Sequence, residues 1–462
     1  MPVSQFFDTS STIVALATPP GVSALAVIRV SGREAVEIVS RIWKGRDLRD
    51  QPGYTVHFGK IQKNEEVIDE VLVSLFLAPK SFTGENLVEI SCHGSPYIVA
   101  KILKILVEEG ARYAQPGEFT RRAFLNGKFD LVQAEAIADL IHSDSEIAHH
   151  MAMNQMRGGF SGKIKSLREQ LVHFASMLEL ELDFSEEDVE FADRTHLKQL
   201  IQEMQQEIQS LVDSFELGNV LKEGVPVVIA GKPNAGKSTL LNALLNEDKA
   251  MVSDIAGTTR DVIEDEISIG GIKFRFIDTA GLRETTDRLE AMGIERTKKK
   301  IEEASLILYL FDIQTATSYE LETVYEELKA KTIPFLMVAN KIDYLRGEEN
   351  KDDHVPLAPH VLKLSAATGL GIEELKEQLL KLVKADGFKS GNTVVTNARH
   401  HENLLQVAKA LQLTLEALDK ELSNDFLAME VRQALHYLGE LTGEITTDDL
   451  LGNIFSKFCI GK

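Results

Sequence analysis

The eight residues Gly231-Lys-Pro-Asn-Ala-Gly-Lys237-Ser238 have the spacing G-x-x-x-x-G-K-S. That spacing suits a loop whose main-chain N–H groups close around phosphate, ahead of a helix whose N-terminus presents positive dipole. Asn234, Ala235 and Gly236 would line the cradle, Lys237 would reach the β- and γ-phosphates, and Ser238, followed by Thr239, would ligate Mg²⁺. Three further stretches follow in order. Asp278-Thr279-Ala280-Gly281 offers a carboxylate able to hold Mg²⁺ through water and a glycine N–H for the γ-phosphate. Asn340-Lys341-Ile-Asp343 offers a carboxylate that can accept from both N1–H and the 2-amino group of guanine. Adenine lacks that donor pair, so ATP would leave the carboxylate unmatched. Ser365-Ala366-Ala367 could turn backbone N–H groups toward guanine O6. Between the first two lies Ser253-Asp254-Ile255-Ala256-Gly257-Thr258-Thr259, where Thr259 could bring its hydroxyl to Mg²⁺. Any one stretch alone reads equally as a glycine turn or a strand end. The ordered set predicts a guanine-nucleotide site with GTP and Mg²⁺.

A glutamine that orients the attacking water often follows the glycine of D-x-x-G, but here Leu282 holds that place. Something else must then position water and neutralise the charge that builds between the phosphates. The Asn234 oxygen and backbone carbonyls of the 253–258 segment could cage a monovalent cation such as K⁺ for that purpose. Glu290 could orient the water, although by residue type alone it is a solvated helix residue.

The elements required to hold these groups are legible around them. Val225 to Ala230, Phe274 to Asp278, Leu306 to Asp312, Phe335 to Asn340 and Val361 to Ser365 read as strands, and Thr239 to Leu245 as a helix. Residues 220–384 therefore predict an inserted Ras-like α/β GTPase domain. Residues 1–122 mix strands (Thr12–Ala17, Ala24–Val30, Val71–Leu77, Leu87–Cys92) with helices (Glu34–Trp43, Ile98–Glu108), which predicts an α+β domain. Apolar residues recur at helical spacing at Leu131, Ala134, Ile137, Ala138 and Ile141, at Leu167, Leu171, Phe174, Leu178 and Leu182, and at Leu404, Val407, Leu411, Leu415 and Leu418. These predict an all-α domain split into 123–219 and 385–462, so the whole chain is multidomain.

At 462 residues, 44% hydrophobic and 26% charged, the composition is that of a soluble globular protein. A net charge of −21 disfavours generic nucleic-acid binding, so an RNA partner would need a local basic patch. Lys298-Lys299-Lys300 and Arg121-Arg122 are the candidate clusters, although each reads more readily as a solvated face. Two cysteines make no disulfide framework, and no apolar run nears the ~18 residues of a membrane span. The first residues, Met1-Pro-Val-Ser-Gln-Phe-Phe-Asp, have no basic segment followed by an apolar core, so a cytoplasmic location is expected.

Seven stretches resemble the MnmE (TrmE) family of tRNA-modification GTPases: Thr18-Pro-Pro-Gly21, Ser81-Phe-Thr-Gly-Glu85, Pro116-Gly-Glu-Phe119, Ala123-Phe-Leu-Asn126, Gln133-Ala-Glu-Ala-Ile-Ala-Asp139, Asp254-Ile-Ala-Gly-Thr-Thr-Arg-Asp261 and Phe458-Cys-Ile-Gly-Lys462. The resemblance implies an N-terminal domain that forms a homodimer and binds 5-formyl- or methylene-tetrahydrofolate through Arg29, Glu85, Lys128 and Lys462. It implies a flavoprotein partner, MnmG (GidA), and addition of an aminomethyl or carboxymethylaminomethyl group to C5 of the wobble uridine (position 34) of certain tRNAs. It also implies K⁺-dependent GTP hydrolysis, with Asn234, Ser253, Ile255 and Thr258 around the cation and Glu290 orienting water. Cys459 is a candidate for the chemical step, or else a small buried side chain; Cys92 reads as core. The rival to a modification enzyme is a regulatory GTP-dependent switch such as a ribosome-assembly GTPase, which needs neither the N-terminal domain nor the Cys-x-Gly-Lys tail.

Overall fold

The N-terminal residues pair into one sheet because their apolar side chains recur every second position, which sends them all to one face. The strands are β1 (Ile13–Leu16), β2 (Ser23–Ser31), β3 (Trp43–Lys44), β4 (Thr55–Lys63), β5 (Glu66–Phe76), β6 (Leu87–Gly94) and β7 (Arg112–Tyr113). Their order is β3-β4-β5-β6-β2-β1-β7, with β1 and β7 parallel and the other pairs antiparallel. Ala26, Ile28 and Val30 of β2, Val71, Val73 and Leu75 of β5, and Val88, Ile90 and Cys92 of β6 face inward and are buried. The helices Ala35–Ile42 and Pro96–Glu108 pack on that face and close a core. Ser95 in extended conformation precedes Pro96, whose ring suits the first helical turn. The opposite face carries two register rows: Arg29, Glu89, Ser74, Val56 and Val27, Ser91, Leu72, Phe58.

The computed structural model describes residues 10–183, 194–248, 265–277, 304–331, 333–347, 361–383 and 394–461. It divides into two compact units, Met1–Ile141 with Gln155–Gln205 and Gln406–Lys462, and His142–Asn154 with Gln206–Leu405. In the first unit the helix Gly159–Asp183 packs against the helix Asn424–Thr442. The periodicity around 131 differs from expectation: Leu131, Val132, Ala134, Glu135 and Ala136 of the helix Leu131–His142 are buried, whereas Ile141 is exposed. Only the first turns of that helix are covered. Among the described residues no helix is long and apolar enough to cross a membrane.

The second unit is a sheet of β8 (Val225–Ala230), β9 (Asp265–Ile269), β10 (Ile272–Phe276), β11 (Leu306–Asp312), β12 (Phe335–Asn340) and β13 (Val361–Lys363). The order is β13-β12-β11-β8-β10-β9, parallel throughout except for the β9–β10 hairpin. After β8 the next strand, β9, lies at the edge, β10 comes back beside β8, and β11 lies on the other side of β8, so the end of β8 is a topological switch point. The short helix Glu146–Met156 also joins this unit. Ile147 N–H donates to the Gly271 carbonyl at 3.2 Å, Lys273 Nζ pairs with Asp144 at 2.8 Å, and Ile147 and Met151 pack on the sheet core. Helical spacing alone gives no hint of that placement.

Candidate nucleotide site and a second charged corner

β8 is buried from Val225 to Ile229, and the chain then turns sharply. Gly231 has φ +144, and a Cβ there would stand 2.0 Å from the Leu310 carbonyl of β11. Gly236 has φ +96, and its Cβ would stand 2.2 Å from Asn340 Nδ2. Between them Asn234 adopts φ +62, a left-handed conformation that asparagine tolerates better than most residues. The helix Lys237–Asp248 starts directly after, so its free N–H groups face the loop. Lys237 is 7% exposed and donates to the carbonyls of Gly231 at 2.6 Å and Lys232 at 2.8 Å. Burial lowers its pKa, so a phosphate beside it would favour the charged form. Asn234, Ser238 and Thr239 are exposed to solvent, and Ala235 is buried.

Asn340, at the end of β12, is 2% exposed. Its Nδ2 donates to the Ala235 carbonyl at 2.8 Å, and its Oδ1 accepts from Ala366 N–H at 2.9 Å. One amide thereby ties the phosphate loop to the Ser365–Ala367 turn. Ser365 is buried, and its Oγ accepts from Thr368 N–H at 3.3 Å; Ala367 is exposed. Lys341, at φ +68, pairs through Nζ with Asp312 Oδ2 at 2.7 Å. Asp343 follows in the 3₁₀ turn Ile342–Gly347, and its Oδ1 is buried without a hydrogen-bond partner among the described residues. An acceptor withheld from water and left unmatched is costly unless a ligand supplies the donor. The structure thus gathers Asn234, Ala235, Gly236, Lys237, Ser238, Thr239, Asn340, Lys341, Asp343, Ser365, Ala366 and Ala367 at the carboxyl ends of the parallel strands. The stretches 253–259 and 278–281, Leu282, Glu290 and the lysines at 298–300 lie outside the described residues.

The second corner is in the N-terminal sheet. Arg29 donates from Nε and Nη2 to Glu89 Oε1 at 2.9 and 2.7 Å, and from Nη1 to the Gly461 carbonyl at 3.1 Å. Its guanidinium lies 5.7 Å from the ring centroids of both Phe82 and Phe119. Glu85 accepts from Ser31 Oγ at 2.8 Å and from Arg122 Nη1 at 3.2 Å. Lys128 Nζ donates to the Pro79 carbonyl at 3.0 Å. The loop from Pro79 to Glu85 is therefore the common neighbour of Arg29, Lys128 and Arg122. Residues 459–461 are clamped here too. Cys459 offers its carbonyl to Gly117 N–H at 3.3 Å, and Gly461, at φ +97, would bring a Cβ within 2.3 Å of the Leu16 carbonyl. The Cys459 side chain is exposed, which removes the buried-core alternative, and Lys462 lies outside the described residues. Cys92 is buried as expected; burial first, and Asp69 next, push its thiol up to about 11.

One cluster contradicts its surface reading. Arg121 and Arg122 are buried, so they offer no basic patch to a tRNA. They surround the buried Glu118, which accepts from Arg122 Nη2 at 3.0 Å and Arg112 Nη2 at 2.5 Å. Burial pushes the Glu118 carboxyl up, but the bonds from Arg112 and the Gln115 N–H, with the charges of Arg112 and Arg122, outweigh it and hold it below its ordinary value. In the sequence the adjacent Arg121 and Arg122 read as a solvated face.

A family model for the MnmE helical domain matches residues 131–459, and one for the N-terminus of the GTP-binding protein TrmE matches residues 12–128. The chain is 57% identical over 462 residues to the tRNA modification GTPase MnmE of Cytophaga hutchinsonii, covering 100% of both chains. The chain belongs to the MnmE family. A second MnmE, from Christiangramia forsetii, is 54% identical over 472 residues, covering 98% of this chain and 99% of that one. Among solved structures, the FeoB G domain of Methanococcus jannaschii is 29% identical over 35% of this chain and 98% of its own, with a TM-score of 0.24.

Proposed function

We propose that this MnmE-family chain binds and hydrolyses GTP and acts in tRNA modification. The single observation that carries the nucleotide reading is the buried, unmatched Asp343 Oδ1, set beside an Asn340 amide that locks the phosphate loop to the Ser365–Ala367 turn. Lys237 and the loop N–H groups would bind the phosphates, and Asp343 would take the two adjacent donors of guanine. Mg²⁺ on Ser238 and Thr259, and K⁺ on Asn234, Ser253, Ile255 and Thr258, would supply positive charge to the phosphate oxygens; the exposed side chains of Ser238 and Asn234 in the cradle fit that use. Asp278 to Gly281 would follow the γ-phosphate, and Glu290 would orient water. The test is Asp343→Asn. Xanthine carries an oxygen where guanine has its 2-amino group, so the amide should lower GTP affinity roughly 100-fold or more and raise xanthosine triphosphate affinity. Unchanged GTP affinity would defeat the reading.

We further propose that hydrolysis is K⁺-dependent. Replacing K⁺ by Na⁺ should slow turnover severely, and Asn234→Ala should remove the difference between the two salts; equal rates in both salts with the unaltered chain would defeat the cation. For the N-terminal sheet, the proposal is a homodimer and a 5-formyl- or methylene-tetrahydrofolate site using Arg29, Glu85, Lys128 and Lys462. Val56 and Phe58, 61% and 67% exposed beside the Arg29–Glu89 row, support an interface on the outer face. The modification proposed is an aminomethyl or carboxymethylaminomethyl group on C5 of the wobble uridine, made with the flavoprotein MnmG in the cytoplasm. Cys459, exposed beside that corner, would take part in the chemical step. The domains proposed for this work are 1–122, the split helical 123–219 with 385–462, and the inserted 220–384.

A further inference from the structure

We infer that Asp312 is a positioning residue for the guanine-nucleotide site, acting through Lys341; this rests on the nucleotide reading above. Asp312 is the last residue of β11, the strand that lies between β8, which leads into the phosphate loop, and β12, which leads into Asn340–Asp343. It sits in register with Asn340. The Ile313 N–H donates to the Asn340 carbonyl at 3.2 Å, so the two strand ends are held together just where they leave the sheet. The two carboxylate oxygens of Asp312 divide their work. Oδ1 accepts from Gln314 N–H at 3.0 Å and closes the turn after β11. Oδ2 holds Lys341 Nζ at 2.7 Å.

That second bond matters because of where Lys341 stands. It occupies a left-handed backbone conformation at φ +68, a strained one for a lysine, between the buried Asn340 and the Asp343 carboxylate. A lysine stem free to swing would leave the turn without a fixed side chain on that side. Anchoring the ammonium to β11 ties the turn that carries Asp343 to the end of the neighbouring strand and so restricts the direction in which Asp343 is aimed. Asp312 thus acts at one remove, on a residue of the cleft and not on the nucleotide. An isolated, partly exposed ion pair contributes little to stability, so its effect should show in the site and not in the fold.

The experiment measures release of a fluorescent GDP by stopped flow from the full chain and from Asp312→Asn, Asp312→Glu, Lys341→Met and the Asp312→Asn, Lys341→Met double variant. Asp312→Asn should speed release roughly five-fold, and Asp312→Glu, which keeps a carboxylate, should restore most of the loss. In the Lys341→Met background Asp312→Asn should add less than about two-fold, because the residue it acts through is gone. An unchanged rate in Asp312→Asn, or the same fold-change in both backgrounds, would overturn the inference while leaving the guanine reading intact. Failure of the unaltered chain to bind GDP would remove the site itself, and this role with it.

Discussion

The nucleotide cleft and the Arg29 corner both place charged groups out of bulk water, but by opposite means. In the cleft the backbone does most of the shaping. Two glycines and Asn234 at positive φ and one buried lysine held by carbonyls set the geometry within a few consecutive residues, and one distant buried amide, Asn340, braces them. In the corner the shaping is done by side chains far apart in the chain. Arg29 meets Glu89 and Gly461, while Glu85, Arg122, Glu118 and Arg112 form a chain of paired charges. A backbone-built site is sensitive to the smallest added carbon; a site built from ion pairs is sensitive to the loss of one charge.

The largest effect should come from breaking the corner. Arg122→Met would leave Glu118 and Glu85 short of a cation, and stability should fall by roughly 3–5 kcal/mol in urea denaturation. A loss below about 1 kcal/mol would show that the network is solvated and that the contrast is false. Next, Gly236→Ala adds a Cβ against Asn340 Nδ2 in a φ that only glycine adopts freely. Nucleotide affinity should drop by roughly 1–3 kcal/mol by calorimetry with the melting temperature little changed; tight binding would mean the loop yields. The smallest effect sharpens the comparison through pH. The Glu118 carboxyl is depressed below 4.5 when folded, so its stabilisation is complete above that value and is lost as pH falls through the lower folded one. The stability gap between the parent and Glu118→Gln should therefore be flat at neutral pH and shrink in acid, by about 1.4 kcal/mol per unit of depression. A gap that widens on acidification would reverse the assignment.

The same contrast explains what the sequence disclosed. β8, β11 and β12 lie where their apolar runs predict, because strands buried on both faces need no partner to be recognised. The phosphate loop was legible because its residues are contiguous. β4 escaped notice because Thr55–Lys63 alternates buried and exposed positions around polar residues, and its outward Val56 and Phe58 blur the alternation. β7, two residues long, has no pattern at all and exists only because β1 offers an edge. Arg121 and Arg122 looked like solvent-facing charge because nothing local marks Glu118 as buried; its three arginines lie within six residues of it, and what the spacing cannot show is that tertiary packing buries the cluster. The Asp312–Lys341 pair joins residues 29 positions apart and was likewise invisible, although an aspartate closing an apolar strand is the same signal that marked Asp278.

Arg29 finds the Gly461 carbonyl 432 residues further along the chain. During synthesis the N-terminal sheet can pair its strands long before that carbonyl exists, since domains tend to fold in the order they emerge. The Arg29 corner must therefore wait, half assembled, until residue 461 has left the ribosome. A copy lacking residue 461 would carry a folded sheet but a guanidinium short of one acceptor, so this contact reports only on whether the 461 carbonyl is in place.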